Sequence, residues 1–504
     1  MKKLKIYFTS DTHGYLSSVD YASGKRIPAG VANCAAGFHK DGNTLILDGG
    51  DTIQGSPMTY HLHKSGSSLS DIAANVMNLA GYQFVTLGNH DFNYGQNTLQ
   101  RYLDQLRAEC LCANVEGLSG VKKTAVVTME NGLKVGLTGV TTHYINIWEK
   151  PENLAGITIT EPVSKAGEAL ELLKAEGCDV TICIYHGGFE NDLETGRLLS
   201  QTDENLAYRM CKELDFDIML TGHQHIPMED QCVFGTYVCQ TPDKGKQYIQ
   251  MDVEISEETG SVTARSRLCT PEQESKEEIF TYLLPYDEET AAWLDTPVGH
   301  LDVELLPEDH IKMASEGNLI ANFFNQVQLE ASGADISVTS LGNEVKGFDR
   351  DVTLRDIVAT YIYPNVLMTL EADRNVLKQT MERCAEYFDH DAEGQLCVSE
   401  TFLKPKVEHY NYDFVSGLEL TIDSGRPVGD RIISMKYQGK ELEEDRQLSV
   451  CMNNYRSTGT GGFDAYRTCP VLCSGQTEIV ELLIDYVERH GNIVVDKTKW
   501  VHVI

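Results

Sequence analysis

The sequence predicts two α/β domains, and three observations lead to that prediction. The chain has 504 residues, more than one hydrophobic core usually supports, so two domains of roughly 200 to 300 residues are expected. Strand-like runs alternate with helical patterns in both halves. An acidic stretch without glycine, "TPEQESKEEIFTYLLPYDEETAAWLD", separates them. We therefore predict a first domain over 1–270, an acidic helical linker over 271–295 and a second domain over 296–504.

The first domain is expected to be a layered α/β structure. Helical periodicity appears in "LSDIAANVMNLA" and "SKAGEALELLKAEG", where apolar residues recur on one helix face. The strand-like runs are "LKIYFT", "TLILD", "QFVTL", "KVGLTGV", "DVTICIY" and "DIMLT". A second α/β pattern begins near "VGHLDVEL" and continues to the C-terminus.

The charge of the chain limits its partners. With 42 basic and 75 acidic residues, the formal net charge is −33. Such a charge repels polyanions, so polymeric nucleic acid and anionic membranes are not expected as partners. A small anionic substrate remains compatible with this charge if metal ions supply local positive charge.

The sequence also gives an expectation for the compartment. No run approaches the roughly 18 apolar residues that span a bilayer. The apolar run near the N-terminus ends after Phe8 and reaches Asp11 at once, so it lacks a signal-peptide core. The 14 cysteines are more easily explained as reduced thiols than as a disulfide framework. We therefore expect a cytoplasmic protein without a membrane partner, and the sequence does not indicate its oligomeric state.

Five polar clusters each follow a strand-like run, at the point where the run ends. They contain Asp11 and His13 in "SDTHG", Asp51 in "GGDTIQGSP", Asn89 and His90 in "GNHD", His186 in "YHGG", and His223 and His225 in "TGHQH". Open α/β sheets bind ligands beyond the carboxyl ends of their strands, so the clusters can converge on one crevice. Carboxylates, imidazoles and an amide oxygen suit a pair of divalent metal ions.

These motifs resemble those of the calcineurin-like metallophosphoesterases, and their order and spacing resemble the two-domain nucleotidases. In the second half, "NQVQLEASGADISV", "YIYPNVL", "YNYDFVSGLELTID" and "NNYRSTGTGG" resemble the nucleotide-binding domain of this family. The resemblance covers essentially the whole chain. It implies a two-metal phosphoesterase that acts on small nucleotides, with manganese, zinc, iron, cobalt or magnesium as the metal.

The resemblance also implies roles for individual residues. The implied metal ligands are Asp11, His13 and His225 for one ion, and Asn89, His186 and His223 for the other, with Asp51 bridging both. His90 would donate a hydrogen bond or a proton to the phosphate or the leaving group, and so stabilise the transition state.

Asn93 departs from the pattern of the 5'-nucleotidase branch, in which an aspartate at this place pairs with the catalytic histidine. An asparagine can orient His90 by accepting a hydrogen bond, but it cannot stabilise an imidazolium as a carboxylate would. "TSLGNEVKG" also replaces a glycine-rich arginine motif. Both departures favour the branch of 2',3'-cyclic-nucleotide 2'-phosphodiesterases that also act as 3'-nucleotidases. A 5'-nucleotidase or nucleotide-sugar hydrolase is the alternative.

Substrate binding is expected in the second domain. The candidate residues are Tyr363 and Asn365 in "YIYPNVL" and Tyr455 in "NNYRSTG", and the resemblance implies that the two tyrosine rings hold the base between them. Stacking on an aromatic ring is sequence-tolerant because every base has a flat face. The alternative for both tyrosines is a core position beside strands.

Two other classes of protein fit the sequence less well. A nuclease acting on polymeric nucleic acid is opposed by the net charge, and a catalytically silent nucleotide-binding protein is opposed by the complete set of ligands. His61 and His63 have ligand-like spacing, but no strand end precedes them, so a surface or helix-start position is expected. Asp91 either holds its loop or takes part in catalysis.

Overall fold

The structure is a computed structural model that describes residues 1–66, 68–199, 203–361, 365–404 and 407–504, with only the backbone of Gln476. Its contacts divide the chain into two compact units. The first unit contains residues 1–20 and 24–291, and the second contains 21–23 and 292–504. Tyr363 lies outside the described residues.

The first unit contains two six-stranded sheets. The first sheet has, in spatial order, Val262–Cys269, Tyr248–Ile255, Lys2–Thr9, Thr44–Asp48, Phe84–Val85 and Glu109–Cys110. The second sheet has Met228–Val233, Thr236–Gln240, Ile218–Thr221, Val180–His186, Lys134–Thr141 and Thr124–Thr128. In the first sheet the four strands from Lys2–Thr9 to Glu109–Cys110 run parallel, and the other two pair antiparallel at the opposite edge. In the second sheet four central strands run parallel, and an antiparallel strand flanks them on each side.

The two sheets pack face to face across a common core. Alternate residues such as Leu4, Ile6 and Phe8 of the first sheet share a buried cluster with Leu137 and Ile184 of the second. Side chains alternate between the two faces of a strand, so these residues point into the space between the sheets. Burial of this apolar surface fixes the register of both sheets.

Helices complete the first unit, and periodicity predicted two of them well. "LSDIAANVMNLA" forms Leu69–Ala80 and ends at Gly81, which has a φ of 91°, a left-handed conformation that glycine adopts at low cost. Helix Pro162–Ala175 begins with proline, and the Glu161 side chain accepts from the Ser164 N–H. The other helices of this unit are Val31–Ala36, Pro57–Lys64, Gln96–Gln105, Ile145–Trp148 and Ala207–Glu213.

The acidic stretch between the halves forms the helix Glu277–Leu294. Most of it belongs to the first unit. Its Asp287 is paired with Arg26 at 3.0 Å, and Lys276, just before the helix, donates to the Leu79 carbonyl at 2.7 Å. These contacts attach the helix to the first unit along one side.

The second unit is also α/β. Its five-stranded sheet has the order Asp413–Ser416, Ile336–Ser340, Leu448–Asn453, Val366–Ala372 and Val471–Glu478. Its four-stranded sheet has the order Lys440–Glu441, Ile432–Tyr437, Leu418–Ile422 and Val501–Val503. Its three-stranded sheet has the order Asp351–Thr353, Pro297–Leu301 and Asn492–Ile493. Its helices are His310–Glu316, Leu319–Ser332, Leu354–Thr360, Arg374–Ala385, Asn454–Ser457 and Ile479–His490.

The fold class predicted from the sequence is confirmed in both halves. The strand-like runs of the first half fall into two sheets, a division that the sequence did not indicate. The run "QFVTL" pairs only over Phe84–Val85, because the chain turns toward Asn89 directly afterwards. All 14 cysteines are free thiols. Within the described parts of the chain, no helix has the length and apolar character needed to cross a membrane.

Candidate metal centre

The predicted metal ligands lie in the loops after five parallel strands or, for His186, at the last residue of the strand. The loops follow Lys2–Thr9, Thr44–Asp48, Phe84–Val85, Val180–His186 and Ile218–Thr221. In the first sheet Thr9 lies opposite Asp48, and Asp48 lies opposite Val85, so these strands end at one edge. The facing sheet brings its own strand ends to the same centre. Two sheets therefore contribute to one site.

The backbone at this centre is unusual. Five of the predicted ligands have left-handed φ values, namely Asp11 (58°), His13 (47°), Asp51 (57°), His223 (70°) and His225 (58°). Residues other than glycine rarely adopt this conformation, and it costs free energy that the surrounding structure must supply. The cost places these short loops among the strained segments that cluster at functional sites.

Two glycines allow the loops to approach the acidic ligands closely. A Cβ atom on Gly88 would lie 2.0 Å from Asp51 Oδ1, and one on Gly222 would lie 2.6 Å from Asp11 Oδ2. No side chain fits at those distances. The glycines of "GNHD" and "TGHQH" therefore leave room for the two carboxylates.

The first group of side chains that could hold a metal ion is formed by Asp11, His13 and His225, whose ligand atoms all lie within 4.8 Å of one another. The two Nε2 atoms of His13 and His225 are 3.0 Å apart, and His225 Nε2 is 3.4 Å from Asp11 Oδ1. This trio matches the first ligand set expected from the sequence.

The second group is formed by Asp51, His186 and His223. His186 Nε2 lies 3.2 Å from Asp51 Oδ2 and 3.2 Å from Asn89 Oδ1, so the amide belongs to the same cluster. Asp51 also forms a third group with His13 and His90. Its carboxylate thus faces both sides of the centre, as a bridging ligand must.

Electrostatic effects favour a cation at this centre. Burial lowers the pKa of His13 well below its ordinary value, which keeps that imidazole neutral and able to bind metal. Burial opposes charge on His186 as well, but the Asp51 carboxylate outweighs it and raises the pKa of His186. The Asp51 carboxylate, which favours positive charge on His186, would favour a metal cation beside it in the same way.

Unpartnered atoms give an independent test of whether metal ions fit. Among the described residues, the buried atoms Asp11 Oδ2 and His13 Nδ1 have no hydrogen-bond partner. A buried polar atom without a partner costs roughly 1 to 3 kcal/mol. Coordination would give the Asp11 oxygen a partner, and the Nε2 atoms of His13 and His225, 3.0 Å apart, could both be ligands, so the donor set fits divalent metal ions.

Asp91 holds the backbone of the centre. Its carboxylate accepts from the N–H groups of Gly88, Asp51, Thr52 and Ile53, at 2.8 to 3.1 Å. These four bonds tie the loop after one strand to the loop after its neighbour. Of the two roles considered from the sequence, the contacts support the holding role.

His90 and Asn93 are held side by side in the turn that follows the third strand. The Asn93 Oδ1 atom lies 2.7 Å from His90 Nδ1. The His90 backbone N–H donates to Asp51 Oδ1 at 2.7 Å, which places the imidazole next to the bridging carboxylate. The ring therefore lies at the centre without being part of either predicted ligand set.

Three residues near the centre were not predicted. Glu204 Oε1 lies 2.8 Å from His223 Nε2, which leaves the other ring nitrogen of His223 for a metal. Trp148 stacks on His223 with ring centroids 5.5 Å apart. Glu149 contacts Asn93. All three lie in segments between the motifs, where no local pattern marks them.

The other predicted residues lie elsewhere. His61 and His63 lie within the helix Pro57–Lys64 and in no candidate metal cluster of the described residues. Asn365 and Tyr455 belong to the second unit, where Tyr455 is 40% exposed. That exposure argues against the alternative of a core tyrosine.

Comparison with known proteins is consistent with this geometry. Residues 4–227 match the family model for calcineurin-like phosphoesterases. Residues 297–468 match the model for the C-terminal domain of 5'-nucleotidases. Each half of the chain therefore matches one of the two domains of the same kind of enzyme.

Three individual proteins illustrate the similarity. A Staphylococcus aureus protein described as a candidate 5'-nucleotidase, solved with alpha-ketoglutarate, is 31% identical, with 100% coverage of both chains and a TM-score of 0.75. The trifunctional nucleotide phosphoesterase YfkN of Bacillus subtilis is 25% identical over 96% of this chain, which spans only 38% of that protein. A 2',3'-cyclic-nucleotide 2'-phosphodiesterase/3'-nucleotidase of Haemophilus influenzae is 24% identical, and the alignment covers 97% of this chain and 86% of that protein.

The family assignment rests on both domains. The 31% identity extends over the full length of the Staphylococcus aureus chain, and the two family models match consecutive parts of this one. The chain therefore belongs to the two-domain calcineurin-like metallophosphoesterase and nucleotidase family, whose members are metal-dependent phosphoric ester hydrolases.

Proposed function

We propose that the protein is a two-metal phosphoesterase that releases phosphate from 3'-nucleotides and opens 2',3'-cyclic nucleotides. The observation that carries the proposal is the position of Asp51, which groups with His186 and His223 on one side and with His13 on the other. One group provides Asp11, His13 and His225, and the other provides His186 and His223 with Asn89 beside them. A shared carboxylate between two such groups is the arrangement that holds two ions close together.

When bound, the two divalent cations would supply positive charge to the attacking water and to the phosphoryl oxygens. The protein residues fix the geometry. His186 donates from Nδ1 to the Gly49 carbonyl at 2.7 Å, so its Nε2 faces the centre. Glu204 binds Nε2 of His223, so Nδ1 of His223 is the nitrogen left for coordination. Partners of this kind set the tautomer and direction of a ligand imidazole.

His90 would act on the reacting groups. Its backbone is fixed by Asp51 and its Nδ1 by Asn93, which leaves Nε2 for the phosphoryl oxygen or the leaving group, as a donor when both ring nitrogens carry a proton. A donor placed where negative charge develops stabilises the transition state more than the bound substrate. His90 therefore has the position of a catalytic residue.

The choice of branch rests on two features of the sequence. Asn93 stands where the 5'-nucleotidase branch has an aspartate, and "TSLGNEVKG" stands where that branch has its arginine motif. The Haemophilus influenzae relative, named for the cyclic phosphodiesterase and 3'-nucleotidase activities, aligns over 97% of this chain. The second unit would bind the nucleoside through Asn365, Tyr455 and Tyr363.

A 5'-nucleotidase is the second candidate. It is favoured by the description of the Staphylococcus aureus protein, which is 31% identical over its full length. Hydrolysis of a nucleotide sugar is a further form of this alternative. Both candidates use the same metal centre and differ only in how the substrate is presented to it.

One experiment separates the candidates. Phosphate release, and ring opening of the cyclic esters, would be measured with a panel of 2',3'-cyclic, 3'- and 5'-nucleotides after loading with manganese, zinc, cobalt or magnesium. We expect higher kcat/KM for the cyclic and 3'-nucleotides. A strong preference for 5'-AMP would replace the first candidate with the second. Equal activity after complete chelation would contradict both.

A further inference from the structure

Glu149 is a buried carboxylate directed at the residue that holds His90. Only 7% of Glu149 is exposed. Its Oε2 accepts from Asn93 Nδ2 at 2.6 Å. Its Oε1 accepts from the Lys150 N–H at 2.7 Å and from Asn153 Nδ2 at 2.9 Å. Three donors therefore converge on this one side chain.

No cation among the described residues balances the charge of Glu149. Among the residues that the structure describes, no lysine, arginine or histidine forms an ion pair with it. Burial of an unpaired carboxylate is unfavourable unless hydrogen bonds compensate for the lost water. The three donors provide that compensation. Because all three are N–H groups, the side chain at position 149 must present acceptors to each of them.

This arrangement fixes the orientation of the Asn93 amide. Since its Nδ2 donates to Glu149, its Oδ1 must face His90, where it lies 2.7 Å from Nδ1. An amide oxygen can only accept, so the proton of this bond stays on His90 Nδ1. Asn153 also donates to the Asn93 carbonyl at 3.2 Å, which holds the asparagine from a second side.

We infer that Glu149 is a positioning residue for His90 and acts through the Asn93 amide. It holds the amide in the one orientation that keeps His90 Nδ1 protonated and directs Nε2 to the reacting groups. The inference rests on the proposed function of His90. It also explains how an asparagine can serve at position 93, because the carboxylate is present one hydrogen bond further from the imidazole.

Glu149→Gln would reverse this orientation. The new amide would turn its oxygen to Lys150 and Asn153, which both donate to Glu149 Oε1, and its NH2 group to Asn93. Two NH2 groups would then face each other, so the Asn93 amide would rotate by half a turn. Its NH2 would point at His90 Nδ1, which must then be an unprotonated acceptor, so the ring could no longer donate from both nitrogens.

The reciprocal change provides the decisive test. Asn93→Asp alone would place two carboxylates 2.6 Å apart at the Asn93–Glu149 contact, where both cannot stay ionised. In the double variant Asn93→Asp with Glu149→Gln, the new NH2 group would donate to Asp at position 93. That carboxylate would accept from His90 Nδ1. The side-chain oxygen at position 149 would still accept from the Lys150 N–H and from Asn153 Nδ2.

We expect each single variant to lower kcat about ten- to a hundredfold, in the range typical of partners that orient a functional side chain. KM should change less than about threefold, since neither residue contacts the predicted base site, and metal content should stay normal. The double variant should recover most of the lost kcat. Such non-additivity is the signature of two residues that act through one contact.

The tautomer of His90 gives a second measurement that does not depend on turnover. In zinc-loaded protein labelled with ¹⁵N-histidine, and with His90→Asn used to identify the signal, His90 Nδ1 should carry a proton in the wild type. In Glu149→Gln Nδ1 should be unprotonated, with the proton of the ring on Nε2, and the double variant should restore the proton on Nδ1. A purely structural role for Glu149 would leave the tautomer unchanged.

Glu152→Gln is the matched control, because the same substitution is made on an exposed side chain three residues away. If the wild type is active, and Glu149→Gln has a normal kcat and an unchanged His90 tautomer, the inference is wrong while the proposed function stands. A double variant that is no better than the worse single variant would also overturn the inference. A wild type without metal-dependent hydrolysis would instead overturn the proposed function, and the inference with it.

Discussion

Two buried charged sites in this protein differ in whether groups of the protein alone neutralise their charges. In the second unit, Arg456 and Asp413 are 1% and 3% exposed and approach to 2.8 Å. Their angles lie outside those of a hydrogen bond, so the attraction is mainly between charges. The guanidinium also donates to the carbonyls of Thr460 and Tyr410 and lies 3.9 Å from the Phe463 ring centroid.

The metal centre of the first unit contrasts with this pair. Its carboxylates Asp11 and Asp51 are equally buried, but among the described residues only histidines, and no lysine or arginine, pair with them. Two imidazole nitrogens also lie 3.0 Å apart. A buried charge that is satisfied within the protein supports the fold, whereas one left open requires a ligand. The comparison predicts different consequences of substitution in the two places.

The largest effect is expected from Asp51→Asn. Because Asp51 belongs to two of the candidate groups, an amide in its place would weaken both metal sites. Metal content measured by mass spectrometry should fall, and turnover should decrease by several orders of magnitude. Asp104→Asn, on an exposed helix position, is the control. Full activity of metal-free wild-type protein would end the two-metal interpretation.

Arg456→Leu should act on stability and not on metal binding. Removal of one partner of a buried pair costs about 3 to 5 kcal/mol, which denaturant unfolding would measure. Burial raises the pKa of Asp413, and Arg456 opposes that rise. In the variant the pKa would rise further, the folded state would bind more protons than the unfolded state, and stability would fall as pH rises. The deficit should therefore be larger at pH 8 than at pH 5. An unchanged midpoint at both pH values would contradict this account of the pair.

His90→Asn should lower kcat while metal stays bound. Loss of a donor that acts on the transition state costs about 2.7 to 4 kcal/mol of barrier, a decrease of roughly a hundred- to a thousandfold. His39→Asn, on an exposed residue, is the matched control. If kcat is unchanged, His90 has a structural role and not a catalytic one.

The smallest effect is expected from Tyr455→Ala. Stacking on an aromatic ring is worth roughly 1 to 3 kcal/mol per base, so KM for nucleotides should rise about five- to a hundredfold. p-Nitrophenyl phosphate carries no base and should be hydrolysed at nearly the original rate. A parallel loss with both substrates would mean that Tyr455 supports the fold. Tyr363→Ala should behave in the same way.

The sequence was sufficient for features that depend on local pattern. Apolar runs predicted the α/β class, and polar residues just after those runs predicted which side chains meet at the strand ends. It could not separate the two sheets, because a strand's partner is not encoded in its own residues. Glu149 and Glu204 were missed for a related reason. Each acts on a side chain distant in sequence, Asn93 or His223, and neither lies in a recognisable motif.

The predicted ligands of the metal centre are spread along the sequence from Asp11 to His225. During synthesis the loop carrying Asp11 is made early, while "TGHQH" emerges more than two hundred residues later. Neither ligand group can close before that point, since His225 completes the first and His223 the second. Pairing of such distant segments is slow because chain entropy must be lost first. Metal loading should therefore be a late event in the life of the new chain, after both sheets have formed.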